Sequence, residues 1–488
     1  MVLKAKQNLK IFLLNKIEKR MEKDVIAKNP DDRPSINRQY RAAMGRNALR
    51  HIRQRITDNT LNPNSEKALT KVLLNSIFFG SKEAKKFTKK YGFRPPKFIT
   101  MGILAWCNLN CYGCYANAAR DELLAKGKSA SSWMQTGEHV LSFDAMNRII
   151  NDAKKNFGAR FFVITGGEPF FYRSQGHDIY DFFAKHKDCY FLVYTNGVFL
   201  ANAENAKKLG KLGNVTPAFS VEGFREETEK RRGPIYDLIM RAMDNMKKEK
   251  LPFGISFTIT RENADILLNP AKKKRFIDFY FKEKGASYMW GFQYMPIGRG
   301  INFNLTLTAE QREKLIDIEK DIIFKDGIFF ADFWNSALSS DGCISAGRGG
   351  GHFYIDWDGF VYPCPFNPFK SPTLNNIYEI YGQGKKLGDA LNTPYFMEIR
   401  KWIDNYGYRK PSSEMKNQYA PCIIRDHFVC KECGKSGCSG LREIVRKTGA
   451  KTSYPEMLSE DYAKKMEKIA DDYKKLTDKK WKKDRASK

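Results

Sequence analysis

Three cysteines stand close together in the segment Cys107-Asn-Leu-Asn-Cys111-Tyr-Gly-Cys114 of this 488-residue chain. Three residues separate the first pair and two separate the second pair, so one tight loop can direct three thiolates at a single centre. Three thiolates on a four-iron cluster leave one iron without a protein ligand, and that iron can bind a further molecule. Zinc is the alternative metal, but a zinc site needs a fourth ligand, and none is evident nearby in the sequence.

A second motif, Thr165-Gly-Gly-Glu-Pro169, follows an apolar, strand-like run at 161–165. Paired glycines allow the backbone to approach a ligand closely, and a simple tight turn is the alternative interpretation. Further polar residues stand where the next two strand-like runs end: Asn196, Ser220 and Glu222. The chain therefore carries several candidate binding residues, each at the end of a predicted strand.

The two motifs resemble the CxxxCxxC and GGEP signatures of the radical S-adenosylmethionine (radical SAM) superfamily, including the aromatic residue Tyr112 before the last cysteine pair. The resemblance implies a [4Fe–4S] cluster on the three cysteines, with S-adenosylmethionine on the open iron. It also implies reductive cleavage to a 5′-deoxyadenosyl radical that abstracts a hydrogen atom, with the electron supplied by a reductant such as flavodoxin or ferredoxin. The implied cofactor-binding residues are Gly166, Gly167, Glu168, Pro169, Asn196, Ser220, Glu222 and Arg232.

Six further cysteines form a second group in the C-terminal part of the chain: Cys343, Cys364, Cys422, Cys430, Cys433 and Cys438. The run ending Asp358-Gly-Phe-Val-Tyr-Pro-Cys364, followed later by a CxxC pair, resembles the SPASM or twitch extension of radical SAM enzymes, which holds auxiliary iron–sulfur clusters. The resemblance therefore implies that all six are metal ligands. A zinc knuckle made from the last four of them is the alternative.

Six cysteines cannot supply the eight ligands of two four-cysteine clusters, so one auxiliary cluster is expected. A second requires an open site or a non-cysteine ligand. His352, Asp426 and His427 are candidates for that ligand, and their spacing does not distinguish them. Cys189 begins an apolar strand far from these motifs and is expected to lie in the core.

Strand-like and helical runs alternate between residues 98 and about 330, with six strands and five intervening helices. This alternation predicts an α/β fold, a partial (β/α)6 TIM-like barrel, in which functional groups gather at the C-terminal ends of the strands. The cysteine loop follows the first predicted strand and the glycine motif follows the second. Both motifs are therefore expected at the same edge of the sheet.

Four segments follow from these patterns. They are a basic helical N-terminal extension (1–97), a radical SAM core (98–330), a SPASM/twitch-like auxiliary iron–sulfur domain (335–450) and a Lys-rich tail (451–488), in which a solvated helix is expected. The net charge is +29, and the first segment contributes 24 basic against 8 acidic residues. Such a charge fits either an anionic partner or a solvated, lysine-rich face. The basic amphipathic pattern over 7–25 fits either a membrane surface or packing against the rest of the protein.

The chain contains no apolar run of about 18 residues and no recognisable signal peptide, so a cytoplasmic protein is expected, with peripheral membrane contact through the N-terminus as an option. The leading hypothesis is an oxidoreductase of the radical SAM class that modifies a peptide or protein. A lipid or other membrane-associated substrate is the first alternative. A non-enzymatic zinc- or nucleic-acid-binding protein is the second, and it leaves the glycine motif unexplained; nucleic acid is not an expected partner.

Overall fold

The structure is a computed structural model that describes residues 11–12, 14–19, 23, 32–72, 82–117, 138–333, 337–429 and 440–486. Most of the helix predicted over 7–25 lies outside these ranges, as do Cys430, Cys433 and Cys438. Within the described residues, no helix is both long enough and apolar enough to cross a membrane.

A mostly parallel, nine-stranded sheet forms the centre of the protein. Its strands are β1 (Phe98–Gly102), β2 (Phe161–Thr165), β3 (Tyr190–Thr195), β4 (Val215–Val221), β5 (Gly254–Ile259), β6 (Met289–Gln293), β7 (Phe330–Asp332), β8 (Tyr354–Ile355) and β9 (Val361–Tyr362). The order across the sheet is β9-β8-β1-β2-β3-β4-β5-β6-β7, and only the β8–β9 pair is antiparallel. The predicted α/β partial barrel is confirmed, with three short strands added at its edges.

Helices cover the sheet and connect its parallel strands, because a parallel pair needs a crossover connection. The N-terminal helices are α1 (Ser35–Thr57), α2 (Pro63–Val72) and α3 (Lys82–Tyr91). Those of the barrel are α4 (Phe143–Asp152), α5 (Ile179–Lys185), α6 (Ala203–Leu212), α7 (Arg225–Arg232), α8 (Tyr236–Lys248), α9 (Asp265–Leu268), α10 (Pro270–Ile277) and α11 (Ala309–Phe324). The C-terminal helices are α12 (Ala337–Ser340), α13 (Ile377–Gly382), α14 (Leu387–Leu391), α15 (Pro394–Tyr406), α16 (Leu441–Thr448) and α17 (Glu460–Ala486).

The first strand is shorter than the apolar run 98–106 predicts. It ends at Gly102. Ile103 N still donates to Thr165 O at the end of β2, but Ala105 N donates to His139 O, which belongs to none of the strands. This early ending turns the chain toward the cysteine loop, which starts directly afterwards.

Strand β8 brings the C-terminal segment onto the barrel, since it pairs in parallel with β1 with Thr100 opposite Tyr354. Gly102 makes this approach possible, because a Cβ atom at that position would lie 2.1 Å from the Tyr354 hydroxyl oxygen. The loop that carries Cys364 follows β9 and is thereby held beside the first barrel strand.

The C-terminal helix α17 corrects the expectation of a solvated tail. Its buried side chains recur every three or four residues, and they include Tyr462, Met466, Tyr473 and Trp481. Such a stripe buries one helix face, and α17 packs against α11 and α1. The Lys-rich composition of the tail describes only its outer face.

Candidate active site

Three thiols meet at the C-terminal ends of the barrel strands. Cys107, Cys111 and Cys114 are free and half-buried, and they line a cavity of about 160 Å³, called here the cofactor cavity. Most of the predicted cofactor-binding residues line it too: Gly166, Gly167, Glu168, Asn196, Ser220 and Arg232. Pro169 and Glu222 do not line it; Pro169 begins a short helical turn, and Glu222 lies behind the cavity wall.

The two glycines of the second motif are needed for contact with the cysteine loop. A Cβ atom at Gly167 would lie 1.8 Å from Trp106 O, and one at Gly166, whose φ is +128°, would lie 2.5 Å from Leu104 O. Backbone hydrogen bonds join the same segments: Gly167 N donates to Leu104 O at 2.7 Å, and Glu168 N donates to Trp106 O at 2.9 Å. The motif therefore clamps the start of the cysteine loop, a role that the sequence did not reveal.

Glu168 joins the ends of two strands. Its carboxyl group accepts hydrogen bonds from Thr195 Oγ1 at 2.7 Å, Asn196 N at 2.8 Å and Phe170 N at 3.2 Å. The side chain is fully buried, and burial raises its pKa to about 7, although these hydrogen bonds oppose the shift. These contacts favour a role for Glu168 in bracing the loop over direct ligand binding.

Asn196 orients the cysteine loop from the end of β3. Its amide nitrogen donates to Asn108 Oδ1 at 2.7 Å and lies 3.9 Å from Cys107 Sγ. Because a donor amide next to sulfur stabilises a thiolate, this residue suits a site in which Cys107 is deprotonated.

A buried carboxylate holds two arginines against the thiols. Glu222 Oε1 accepts from Arg231 Nη1 at 2.6 Å and from Arg232 Nε at 2.7 Å, while its other oxygen accepts from Thr258 N. Arg232 Nη1 lies 3.9 Å from Cys111 Sγ. Sequence reasoning proposed Arg232 but missed Arg231, although the two are adjacent and both line the cavity.

The electrostatics of the thiols depend on these cations. Burial raises the pKa of Cys111, and the nearby guanidinium groups of Arg232 and Arg231 oppose that shift. Burial also raises the pKa of Cys107, and the Glu168 carboxylate adds to the effect. Metal binding requires thiolates, so the arginines supply the positive charge that an anionic centre needs here.

Three thiols on one loop suit a multi-iron cluster, because such a cluster spreads its ligands over several metal atoms.

A second group of thiols lines a separate cavity of about 250 Å³, called here the auxiliary cavity. Cys343, Cys364 and Cys422 are all free and all line it. Burial raises the pKa of Cys422 to about 12, and the neighbouring Cys343 adds to the shift. The other predicted ligands of this region, Cys430, Cys433 and Cys438, lie outside the described residues. Cys189 is fully buried in the core, as predicted.

Aromatic side chains separate the two cavities. The shared wall consists of Phe98, Trp290, Phe333, His352 and Phe366. Phe333 contacts both Phe366 and His352, with ring centroids 5.3 and 5.6 Å apart. The two cavities are thus adjacent and share one aromatic wall.

A buried hydrogen-bond chain also connects the two cavities. Gln293, on the wall of the cofactor cavity, accepts from Arg425 Nη1 at 2.7 Å and donates to Asp332 Oδ2 at 2.7 Å. Arg425 Nε in turn donates to Asp426, whose other oxygen accepts from Cys422 N at 3.0 Å. The loop of one auxiliary thiol is thereby tied to a side chain of the cofactor cavity.

An α/β partial barrel carries a three-thiol loop at its strand ends. Residues 101–267 match the family model of the Radical SAM superfamily, in agreement with the resemblance seen in the sequence. The match supports the expected enzyme class and the expected pair of a [4Fe–4S] cluster and S-adenosylmethionine, which this superfamily uses.

Similar proteins differ in how much of the chain they match. Fe-coproporphyrin III synthase of Methanosarcina barkeri is 30% identical over 43% of this chain and 48% of its own length. A cysteine-type anaerobic sulfatase-maturating enzyme of Clostridium perfringens is 24% identical over 71% of this chain and 90% of its own. The solved structure of native anSMEcpe with bound AdoMet has 18% identity and a TM-score of 0.47, over 81% of this chain and 100% of that one. The chain spans about half the length of the first curated relatives that it matches.

Proposed function

We propose that this protein cleaves S-adenosylmethionine reductively and abstracts a hydrogen atom from a peptide or protein substrate. The proposal rests on one observation. The same cavity is lined by Cys107, Cys111 and Cys114, by the glycine motif and by the Arg231–Arg232 pair. When bound, the cluster and S-adenosylmethionine together supply the electron transfer and the carbon radical.

The protein's own residues hold and shield that chemistry. The three cysteines bind the cluster, and the two arginines, oriented by Glu222, offset its negative charge. Arg232 and Ser220 are positioned to contact the methionine and ribose parts of S-adenosylmethionine. Glu168 and Asn196 fix the loop that carries Cys107, since small displacements of reacting groups are costly in rate.

A peptide or protein substrate is favoured by the extent of the relationships. The sulfatase-maturating relative aligns with 71% of the chain, whereas the coproporphyrin-related one aligns with 43%. Sulfatase-maturating enzymes also carry auxiliary clusters, and this chain has a second cavity lined by three thiols.

That second cavity is the proposed auxiliary iron–sulfur site of a SPASM/twitch-like domain, and Cys343, Cys364 and Cys422 are its proposed ligands. Cys430, Cys433 and Cys438 are proposed from the sequence resemblance as ligands of a second auxiliary cluster with an open site. An auxiliary cluster next to the cofactor cavity would accept the electron that the substrate radical gives up after hydrogen abstraction. The aromatic wall that the two cavities share supports this role.

A flavodoxin- or ferredoxin-like reductant is the proposed electron donor, and a cytoplasmic location the proposed setting. A membrane-associated substrate depends on the amphipathic pattern at 7–25, most of which lies outside the described residues. Contact of that segment with a membrane surface therefore stays a prediction.

The first experiment compares anaerobically purified wild type with the variant Cys107→Ala, Cys111→Ala, Cys114→Ala. We expect the variant to lose about four irons and all dithionite-driven formation of 5′-deoxyadenosine. Cys189→Ala is the matched control, because this thiol is buried far from both cavities, and it should retain both properties. Zinc in place of iron, with no deoxyadenosine from wild type, would contradict the proposal.

The substrate class is tested by deuterium transfer. The enzyme is incubated with S-adenosylmethionine and either a deuterated peptide pool from a cellular digest or deuterated coproporphyrin. We expect deuterium in the deoxyadenosine only with the peptide pool. Transfer from the porphyrin alone would replace the peptide proposal while leaving the radical chemistry intact.

A further inference from the structure

The structure separates the three non-cysteine candidates for an auxiliary ligand. Asp426 is already engaged, since it accepts from Arg312 Nη1 at 2.6 Å, from Arg425 Nε at 3.3 Å and from Cys422 N at 3.0 Å. A carboxylate held by two cations and an amide has little capacity left for iron. It also does not line the auxiliary cavity.

His427 is engaged at both ring nitrogens. Its Nε2 lies 3.0 Å from Ala420 O, and its Nδ1 lies 3.3 Å from Lys474 Nζ. A histidine binds metal through a nitrogen lone pair, and here each ring nitrogen already has a hydrogen-bond partner. His427 is also absent from the lining of the auxiliary cavity.

His352 differs from Asp426 and His427 both in its position and in its hydrogen bonds. It lines the auxiliary cavity together with Cys343, Cys364 and Cys422, and it is 1% exposed. Its Nδ1 lies 3.0 Å from Thr100 Oγ1, while its Nε2 is buried and has no hydrogen-bond partner within the described part of the chain. Buried polar atoms are nearly always paired in proteins, so an unpaired one indicates a missing partner.

We propose that His352 Nε2 is the fourth, non-thiolate ligand of the auxiliary cluster held by Cys343, Cys364 and Cys422. The inference rests on the auxiliary cluster proposed above. The Thr100 contact fits this role, because a metal-binding histidine uses its second nitrogen in a hydrogen bond that fixes its ring and tautomer. A neutral imidazole in place of a thiolate makes the cluster less negative and raises its reduction potential.

His352 also belongs to the aromatic wall that the two cavities share. As a ligand, it would place one iron of the auxiliary cluster directly against that wall. The raised potential and the shared wall together favour electron acceptance from the cofactor cavity.

Pulsed EPR on the full-length protein tests this ligand. The variant Cys107→Ala, Cys111→Ala, Cys114→Ala is reduced with dithionite, so that the signal comes from auxiliary iron alone. A bound imidazole gives a nitrogen hyperfine coupling that changes when histidine is labelled with ¹⁵N. We expect this coupling, and we expect it to disappear in His352→Ala and in His352→Cys. His352→Cys should retain the iron and lower the midpoint potential, since it supplies an anionic ligand.

His427→Gln is the matched control and should keep the coupling. If the triple variant does not accumulate, the wild type serves instead, because S-adenosylmethionine perturbs only the signal of the first cluster. Auxiliary iron without any histidine coupling, or coupling that survives His352→Ala, would overturn the assignment and indicate another fourth ligand. Absence of auxiliary iron would contradict the auxiliary cluster and this ligand together, while wild-type deoxyadenosine formation would still report the radical chemistry.

Discussion

The cofactor cavity and the auxiliary cavity contain three described thiols each, but they are assembled in different ways. Cys107, Cys111 and Cys114 lie on one loop, and the residues around them come from the ends of successive strands. In contrast, Cys343, Cys364 and Cys422 come from three separate loops, which are held together by the β1–β8 pairing and by buried polar contacts. A local site depends on the exact shape of a few residues, whereas a dispersed site depends on the tertiary contacts that bring it together.

The largest effect is expected from Gly167→Ala. The added methyl group would lie 1.8 Å from Trp106 O, so the backbone of the cysteine loop must move. A displacement of this size should lower deoxyadenosine formation by about 100-fold or more, measured together with iron content. Gly382→Ala is the control, because no atom lies within 4 Å of its Cβ position. Normal activity of Gly167→Ala would show that the local site tolerates distortion.

Glu222→Gln should lower the free energy of unfolding by about 3 to 5 kcal/mol, because it leaves two buried guanidinium groups without their carboxylate. Denaturant unfolding of the protein measures this loss. Asp237→Asn removes an exposed partner of Arg225 and should change the stability little, because exposed ion pairs are screened by solvent. Equal losses for the two variants would mean that the buried triad does not organise the cofactor cavity.

The buried carboxyl group of Asp356, in the turn that leads to Cys364, should make the stability of the fold depend on pH. Burial raises its pKa to about 7, above an unfolded value of about 3.9. A carboxyl group with a raised folded pKa stabilises the fold at low pH, and this contribution is lost as the pH rises toward 7. Between pH 4 and 7, Asp356→Asn should therefore gain stability relative to wild type, by roughly 3 kcal/mol. Parallel stability curves for the two proteins would contradict the prediction.

The smallest effect on the first site is expected from Arg425→Gln, which interrupts the chain between Gln293 and Cys422. Deoxyadenosine formation without substrate should stay within about twofold of wild type, whereas the midpoint potential of the auxiliary cluster should shift, because a buried cation next to a cluster tunes it. Potentiometric titration followed by EPR measures the shift. If Arg425→Gln instead lost most of its deoxyadenosine formation without substrate and kept the wild-type midpoint potential, Arg425 would have to be assigned to the cofactor cavity.

The barrel and the local site could be predicted from the sequence because their signals are local. Strand β2 matches the predicted bounds, and the cysteine loop and glycine motif lie at the expected edge. Arg231 was missed because residue spacing alone does not distinguish between two adjacent arginines. The pairing of β8 with β1 was not predicted either, since a two-residue strand has no periodicity.

The dispersed auxiliary site shows more clearly what residue spacing cannot predict. His352, Asp426 and His427 are equivalent as candidate ligands in the sequence, and only their tertiary contacts separate them. The same holds for α17, whose Lys-rich composition suggested a solvated helix although Tyr473 and Trp481 are buried. Such choices depend on which surfaces meet, and composition does not report that.

The pairing of β1 with β8 also has a consequence for protein synthesis. Thr100 and its partner Tyr354 are roughly 250 residues apart, so a ribosome completes β1 about 10 to 50 s before β8 emerges. Throughout that interval, one side of an apolar strand has no neighbour, and unpaired strand edges promote association with other chains. Newly made chains that stop before residue 354 should therefore depend on chaperones, and full-length chains should lose that dependence once β8 is in place.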